Sequence, residues 1–379
     1  MPPAVVTATH GLRVDIIRNR QELAAYADGW NELLADSRAN SIFLTWQWID
    51  SWLDVVYPDA PLLTVVISDQ GGKLLGIAPL YRSKFSFLGR LPVGCLRILG
   101  DRHTGGEYPD FILRHGHEAR ALHAILRALL GHKGDWHCIW LSKMAGWTGT
   151  YGFLRDACSQ LGLPLRDRMS GFAAMDLPDN YDAWMDGLSR NRRSNLRRKT
   201  NRLFAEHKVE HIRPEGPEEL PEFLEALFTL HHKHWASVGK PSSFDRSPHK
   251  KPFYYRLAAE ALRQGWLQMD ALKVDGQIKA VQYGYLYHGT LFSVQEGYDP
   301  EAYDGIGNVL RHIVIQRAIE DGVREYDFLA GFSEHKQRWG GQRRVGYDLL
   351  IGRPCVRTKL LLGPGIWPTG RFLRQGKPL

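Results

Sequence analysis

The groups best placed to do chemistry fall in one stretch, EGYDPEAYDGIGNVLRHIVIQRAIEDGVREYDFLAGFSEHKQRWG, from Glu296 to Gly340. Its pattern reads as the end of a strand, a glycine loop, a helix, a second strand and a polar segment closing on Lys336 and Trp339. The loop Asp304-Gly305-Ile306-Gly307-Asn308 opens the helix. Glycine removes the Cβ that blocks close approach, so the backbone N–H groups from Gly305 to Asn308 suit a phosphate. The competing reading is an Asp304 N-cap on a tight strand-to-helix turn. The following strand ends in a lone acid, Asp327, among Tyr326, Phe328 and Leu329. Such an acid is either a general base or amine anchor in a cleft, its pKa raised by burial, or half of a structural ion pair. Glu334 and His335 stand beside Lys336, and either has the chemistry of a proton acceptor. Glu334 and Arg338 are also spaced as an ordinary i,i+4 helix pair.

The elements around this stretch form two halves of similar order. The first half begins with a strand near Arg13–Ile17. Helical stretches follow around Gln21–Leu34 and Thr45–Val56, the second carrying Trp48, Ile49, Trp52 and Leu53 on one face. PLLTVVISD and KLLGIAPLYR, parted by Gln70-Gly71-Gly72, read as a hairpin. A helix at Glu118–Leu130, a strand at Trp136–Ser142 and a helix near Gly149–Leu161 complete the half. In the second half, helices at Glu218–Val238 and Pro252–Gln264 precede a three-strand meander with turns at Asp275-Gly276 and His288-Gly289. The helix Gly307–Asp321 and strands at Val323–Leu329 and Val345–Ile351 follow. Mixed strands with helices on both faces predict an α/β (α+β) layered fold with a central sheet in each half. The boundary is expected at 180, just after Asp176-Leu177-Pro178-Asp179-Asn180, dividing the chain into 1–180 and 181–379.

At 379 residues, 44% hydrophobic and 24% charged, the chain has the composition of about two globular domains. Its net charge of +8 calls for an anionic partner, such as a phosphorylated cofactor, a nucleic acid, an acidic glycan or a membrane surface. Cys95, Cys138, Cys158 and Cys355 are scattered without CxxC spacing, which argues against a zinc or redox motif. The N-terminus has no signal-peptide apolar core, and no apolar run is long enough to span a bilayer. A cytoplasmic protein with reduced thiols is expected.

A basic segment, 181–207, links the halves. Trp184, Leu188, Leu196 and Leu203 fall at helical spacing and form an apolar face. Arg190, Arg192, Arg193, Arg197, Arg198, Lys199 and Arg202 crowd the rest. These cations either solvate a structural helix or follow phosphates; among them Arg193 and Arg197 are candidates for holding a phosphorylated substrate. Aromatics for base stacking are missing between Ser189 and Arg202. His231, His232 and His234 point in different directions on a helix, so no metal is expected. Trp235 and Phe244 either line an acceptor pocket or pack the core. The C-terminal tail, with Trp367, Arg371, Phe372 and Arg374, is either a membrane-surface contact or a terminal segment draped on the fold.

Several blocks in order resemble the acyltransferases of the GNAT superfamily, and in particular the cellulose-biosynthesis-associated branch related to the FemAB peptidyltransferases. They are Phe43, Trp48 and Trp52; GKLLGIAPL from Gly72; LSRNRRSNLRRK from Leu188; LHHKHWASVGKPSSF from Leu230; KVDGQIKAVQYGY from Lys273; and YDGIGNVL followed by YDFLAGFSEHKQRW. The resemblance implies two tandem GNAT-like domains and transfer of an acyl group, most simply acetyl. The donor it implies is acetyl-CoA or another acyl-CoA, with no metal. The acceptor it implies is an amine or hydroxyl of a sugar or of a cell-envelope polysaccharide precursor.

The resemblance also assigns parts. The Gly305–Asn308 amides cradle the donor's pyrophosphate. Asp327 is base or amine anchor, Lys336 stabilises the developing oxyanion, and Glu296 and Tyr298 flank the thioester as base and proton donor. The usual loop is Gln/Arg-x-x-Gly-x-Gly/Ala; here Ala302 stands in the Gln/Arg position. The alternatives are an aminoacyltransferase drawing on charged tRNA, or a non-catalytic protein of this scaffold that binds anions or nucleic acid.

Overall fold

The structure is a computed structural model. It describes residues 11–87, 91–101, 104–132, 134, 136–356, 358 and 373–375. The elements in chain order are β1 (Leu12–Ile17), α1 (Arg20–Ala24), α2 (Ala27–Ala35), α3 (Trp46–Val55), β2 (Thr64–Asp69), β3 (Leu74–Ala78), β4 (Leu80–Phe87), β5 (Leu91–Ile98), β6 (Ile112–Leu113), α4 (Glu118–Gly131), β7 (Cys138–Ala145), α5 (Thr150–Gln160) and β8 (Leu165–Asp176). There follow α6 (Tyr181–Gly187), α7 (Arg190–Glu206), β9 (Val209–Ile212), α8 (Leu220–Ser237), α9 (Lys250–Arg263), β10 (Leu267–Val274), β11 (Gln277–Tyr287), β12 (Thr290–Tyr298), α10 (Ile306–Glu320), β13 (Glu325–Ala330), α11 (Glu334–Gln337), β14 (Gln342–Gly352) and β15 (Leu373–Gln375). The expected α/β class is the one found.

The chain forms two compact units. One is Met1–Arg102, Gly106–Ser170 and Val345–Leu379; the other is His103–Gly105 and Gly171–Arg344. The chain leaves the first unit within β8 and returns to it within β14, so the residues from Val345 onward belong with the first unit. In that unit β1, β2, β3 and β6 form an antiparallel sheet. The strands β15, β4, β5, β7 and β14 lie side by side in that order. Pro79 ends β3 before β4 begins, so the run KLLGIAPLYR is two strands rather than one. All four cysteines lie in this unit as free thiols.

In the second unit the order is β8, β13, β12, β11, β10, β9. The meander turns are as the sequence predicts. Asp275 and Gly276 have φ of 49° and 83°, and His288 and Gly289 have 49° and 80°, the positive pair that a two-residue hairpin needs. The basic segment is two helices, because Leu188 is extended (ψ 152°) and Ser189 starts a new N-cap, accepting from the Arg192 N–H. Both helices fall inside the second unit. Their apolar face is as expected: Trp184, Leu188, Leu196 and Leu203 are buried against α10 residues such as Ile306 and Val309. Trp184 stacks on Trp339 at 6.3 Å with 7° between the planes.

Two irregularities in this sheet open space along β12. β12 and β13 run parallel, but their ladder covers only Thr290–Glu325, Leu291–Tyr326 and Phe292–Asp327. Beyond Phe292, β12 continues to Tyr298 without that neighbour. On its other side β12 carries a bulge: Tyr283 faces Gln295 and Gly284 faces Ser293, so Val294 is the extra residue. Gly284 makes the bulge possible, since a Cβ there would stand 2.2 Å from the Phe292 carbonyl oxygen. Gly284→Ala is therefore expected to lower stability by about 1–3 kcal/mol, read as a reduced denaturant midpoint with unchanged slope.

Candidate functional site

The parting of β12 from β13 opens a cavity of about 800 Å³ in the second unit. This is the size of a pocket for a drug-sized molecule. Its walls come from the C-terminal half of α8 (His231, His234, Trp235), from β12 (Ser293 to Glu296, Tyr298), from the loop and first turns of α10, and from Phe328, His335 and Lys336.

The glycine loop sits on this cavity, with Asp304, Gly305, Gly307 and Asn308 in its lining. The N-cap of α10 is Gly305, with φ 85°, not Asp304. Asp304 instead pairs with Lys199 of α7 at 2.8 Å, which lowers its pKa. The helix gains nothing from an aspartate cap because Gly305 already holds the left-handed turn. Ile306 donates to the Tyr303 carbonyl, and Asn308 and Val309 donate to that of Gly305. The Gly307 N–H, one of the helix's first four, makes no such bond. Gly307 must be glycine for packing: a Cβ there would lie 2.7 Å from the Tyr298 ring. Ile306 itself is buried in the core.

Of the remaining predicted residues, the structure brings Glu296, Tyr298, Lys336 and Trp235 to the cavity. Glu296 forks onto Arg311, whose Nε lies 3.0 Å from its Oε1. Lys336 Nζ donates to three main-chain carbonyls, those of Phe328 (2.6 Å), Leu329 (3.1 Å) and Ala330 (2.7 Å). It thus clamps the end of β13, where Leu329 takes the strained φ of 62°. Asp327 is 2% exposed and outside the cavity lining; its Oδ1 accepts the Leu329 N–H at 2.7 Å. Glu334 stands in solvent, paired with Arg338 at 2.5 Å. Phe244 packs on Phe228, His231 and Tyr254, behind the cavity wall rather than in its lining. Arg193 is held by Asp186 and by the Met185 carbonyl, and Arg197 is exposed.

Sequence reasoning weighed the α8 histidines only as metal ligands and passed over His234. Among the described residues no group of three or more His, Cys, Asp or Glu is placed to hold a metal. His231 Nε2 accepts from the Trp235 indole at 3.0 Å, so its Nδ1 donates to Ser242 Oγ at 2.8 Å. Both nitrogens are satisfied by the neutral ring, and burial, aided by Lys250, pushes its pKa down to about 4. His234 lies over Tyr298, ring centroids 4.3 Å apart, with Nε2 3.5 Å from the phenol oxygen. Burial lowers the His234 pKa and raises that of Tyr298. At neutral pH this couples an unprotonated imidazole to a protonated phenol. The signal available in the sequence was the i, i+3, i+4 spacing of His231, His234 and Trp235, which places all three on one helix face.

Residues 190–337 match the family described as an acetyltransferase (GNAT) domain. That segment contains every residue lining the cavity. No curated protein matches the chain. Among solved structures, FemX is similar with a TM-score of 0.62 at 12% identity, covering 89% of this chain and 98% of that one. The C-terminal domain of a putative lysylphosphatidylglycerol synthetase from Agrobacterium fabrum gives 0.50 at 12% identity, covering 87% of this chain and 92% of that one. A tandem GNAT protein from the clavulanic acid biosynthesis pathway gives 0.48 at 14% identity, covering 90% of this chain and 98% of that one. These likenesses are of fold. The family match falls within the second unit.

The buried histidines set a pH dependence. His312, bonded to Tyr181 and Thr200, is also pushed down to about 4, first by burial and then by Arg192 and Arg197. His231 and His312 stay neutral in the fold but take protons in the unfolded chain below about 6.5. Stability should fall as pH drops from about 6.5 towards 4 and stay flat for these groups above 6.5. Denaturant midpoints across that range check this, and His312→Gln should flatten the slope.

Proposed function

We propose that this GNAT-type acyltransferase moves an acetyl or other acyl group from acyl-CoA to an amine or hydroxyl of a sugar or cell-envelope polysaccharide precursor. The observation that carries the reading is the cavity between the parted strands β12 and β13, with the glycine-started helix α10 on its rim. The acceptor class rests on the sequence resemblance to the cellulose-associated branch and on walls that mix Trp235 and Tyr298 with Glu296 and Arg311. Such chemistry places the enzyme with its donor in the cytoplasm. Among the described residues no helix is long and apolar enough to cross a membrane. The tail residues offered for membrane contact lie outside those whose side chains are described.

In this reading the acyl thioester lies along β12 beyond Phe292, where main-chain N–H groups released from the β13 ladder receive the carbonyl oxygen as it gains charge. The acceptor nitrogen or oxygen attacks the carbonyl carbon, and His234 takes its proton. The C–S bond breaks as the tetrahedral intermediate collapses. Tyr298 protonates the departing thiolate and recovers its proton from His234 across their 3.5 Å contact. The net result is one proton moved from acceptor to thiol. Direct attack is favoured because none of the four cysteines is among the residues lining this cavity. Glu296 and Arg311 fix the far wall, while Lys336 and Asp327 hold the end of β13 in shape.

The donor is tested by calorimetry with acetyl-CoA, for which micromolar binding is expected. Absence of that binding, together with tRNA binding that weakens steeply with salt, would replace acyl-CoA by aminoacyl-tRNA. Tyr298→Phe and His234→Gln should each lower kcat by about 10²-fold with little change in KM. The pH below which the wild-type rate falls should lie lower than for an ordinary histidine base, because burial lowers the His234 pKa. Unchanged kcat in both variants would remove them from the proton path.

A further inference from the structure

The cations of α7 sort into two groups once their positions are known. Arg193 is spent on Asp186, Arg202 on Glu206, and Arg198 on Asn195. Arg192 and Lys199 are different. Seven residues apart, they lie on one face of the helix two turns from each other, and both reach the start of α10. Lys199 pairs with Asp304 and crosses Gly305 so closely that a Cβ there would stand 2.9 Å from its Nζ. Arg192 covers the Trp339 ring with its guanidinium carbon 4.1 Å from the centroid, and its Nη2 donates to Asn308 Oδ1 at 3.4 Å.

The neighbouring cations each have a carboxylate: Arg311 has Glu296, Lys199 has Asp304, and Arg338 has Glu334. Arg192 has none among the described residues, and its Nε is buried without an acceptor. Burial, and then the like charges of Arg311 and Arg338, push its pKa down to about 10. A half-buried cation without a counter-ion, facing two like charges, creates a strong local positive potential. That potential lies beside Asn308 and Gly307 on the cavity's rim. The loop supplies no cation of its own, because Ala302 occupies the position where the resembled motif carries Gln or Arg.

We infer that Arg192 and Lys199 of α7 hold the diphosphate of the acyl donor over Gly305–Asn308, in place of the side chain missing at Ala302. This rests on the acyl-CoA reading and adds to it a helix outside the glycine loop. Arg192 gains its counter-ion, and the Gly307 N–H meets an acceptor. Asp304, whose side chain is 94% exposed, neutralises Lys199 until the diphosphate arrives and then swings out.

The test is binding of CoA, 3′-dephospho-CoA and a uridine-diphosphate sugar to the full chain and its variants by calorimetry. Arg192→Ala should weaken CoA and dephospho-CoA alike by about 10-fold or more, and Arg192→Lys should restore part of the loss. Asp304→Asn, a change at an exposed side chain, should tighten both and remains informative if Arg192→Ala does not fold. A loss confined to CoA would assign Arg192 to the 3′-phosphate and overturn the inference. A loss confined to the sugar nucleotide would place the diphosphate on the acceptor and also overturn it. Equal CoA affinity in folded Arg192→Ala would overturn it while leaving the acyl-CoA reading intact. No CoA binding by the wild type would overturn both.

Discussion

Everything at the site follows from how briefly β12 and β13 stay together. Parallel strands whose ladder runs on would bury their edges against each other; here pairing ends after Phe292 and Asp327. Backbone groups released from a ladder need other partners, and the protein supplies them asymmetrically. On β13 the strained turn at Leu329 redirects the chain, and Lys336 gathers three successive carbonyls that would otherwise lie open. On β12 the bulge at Val294 bends the strand, and beyond Phe292 its edge facing the cavity has no strand neighbour. The cavity is thus an interruption of a sheet, flanked by a backbone bulge on one strand and an ammonium clamp on the other.

The sequence revealed the local punctuation well. Paired positive φ at Asp275-Gly276 and at His288-Gly289 reflects short-range sterics, which two residues suffice to specify. The glycine loop was legible for the same reason, although Gly305 and Gly307 are glycine for different causes: one for its φ of 85° and one for the Tyr298 ring beside it. β8 was missed because LRDRMSGFAAMD opens on exposed or half-buried positions, most of them charged or polar, so no alternation marks it. The break of the basic segment at Leu188 was missed because the apolar face runs through it uninterrupted.

Roles were harder to read than elements, because they depend on tertiary partners. Asp327 resembles a base in the sequence. Its carboxylate accepts the Leu329 N–H within the turn that ends its own strand. Lys336 resembles an electrophile, and its ammonium is engaged by carbonyls six to eight residues away. His234 was invisible because its significance lies in Tyr298, sixty-four positions later. The basic helix shows the same dependence: its run of cations suggests a track for nucleic acid, yet the pairing of each cation is decided by which face meets α10, α6 or solvent.

The return of the chain to the first unit carries a consequence for assembly. Ser142 of β7 donates to Asp348 of β14 across a separation of 206 residues, and Arg168 reaches the same carboxylate. β14 pairs with β7 from Gly346 to Gly352. During synthesis β7 must therefore wait, with one edge open, until the whole second unit has been made. The unit that begins first is completed last. The enclosed segment, by contrast, has all six of its strands in continuous sequence and can close its sheet before the C-terminal strand emerges.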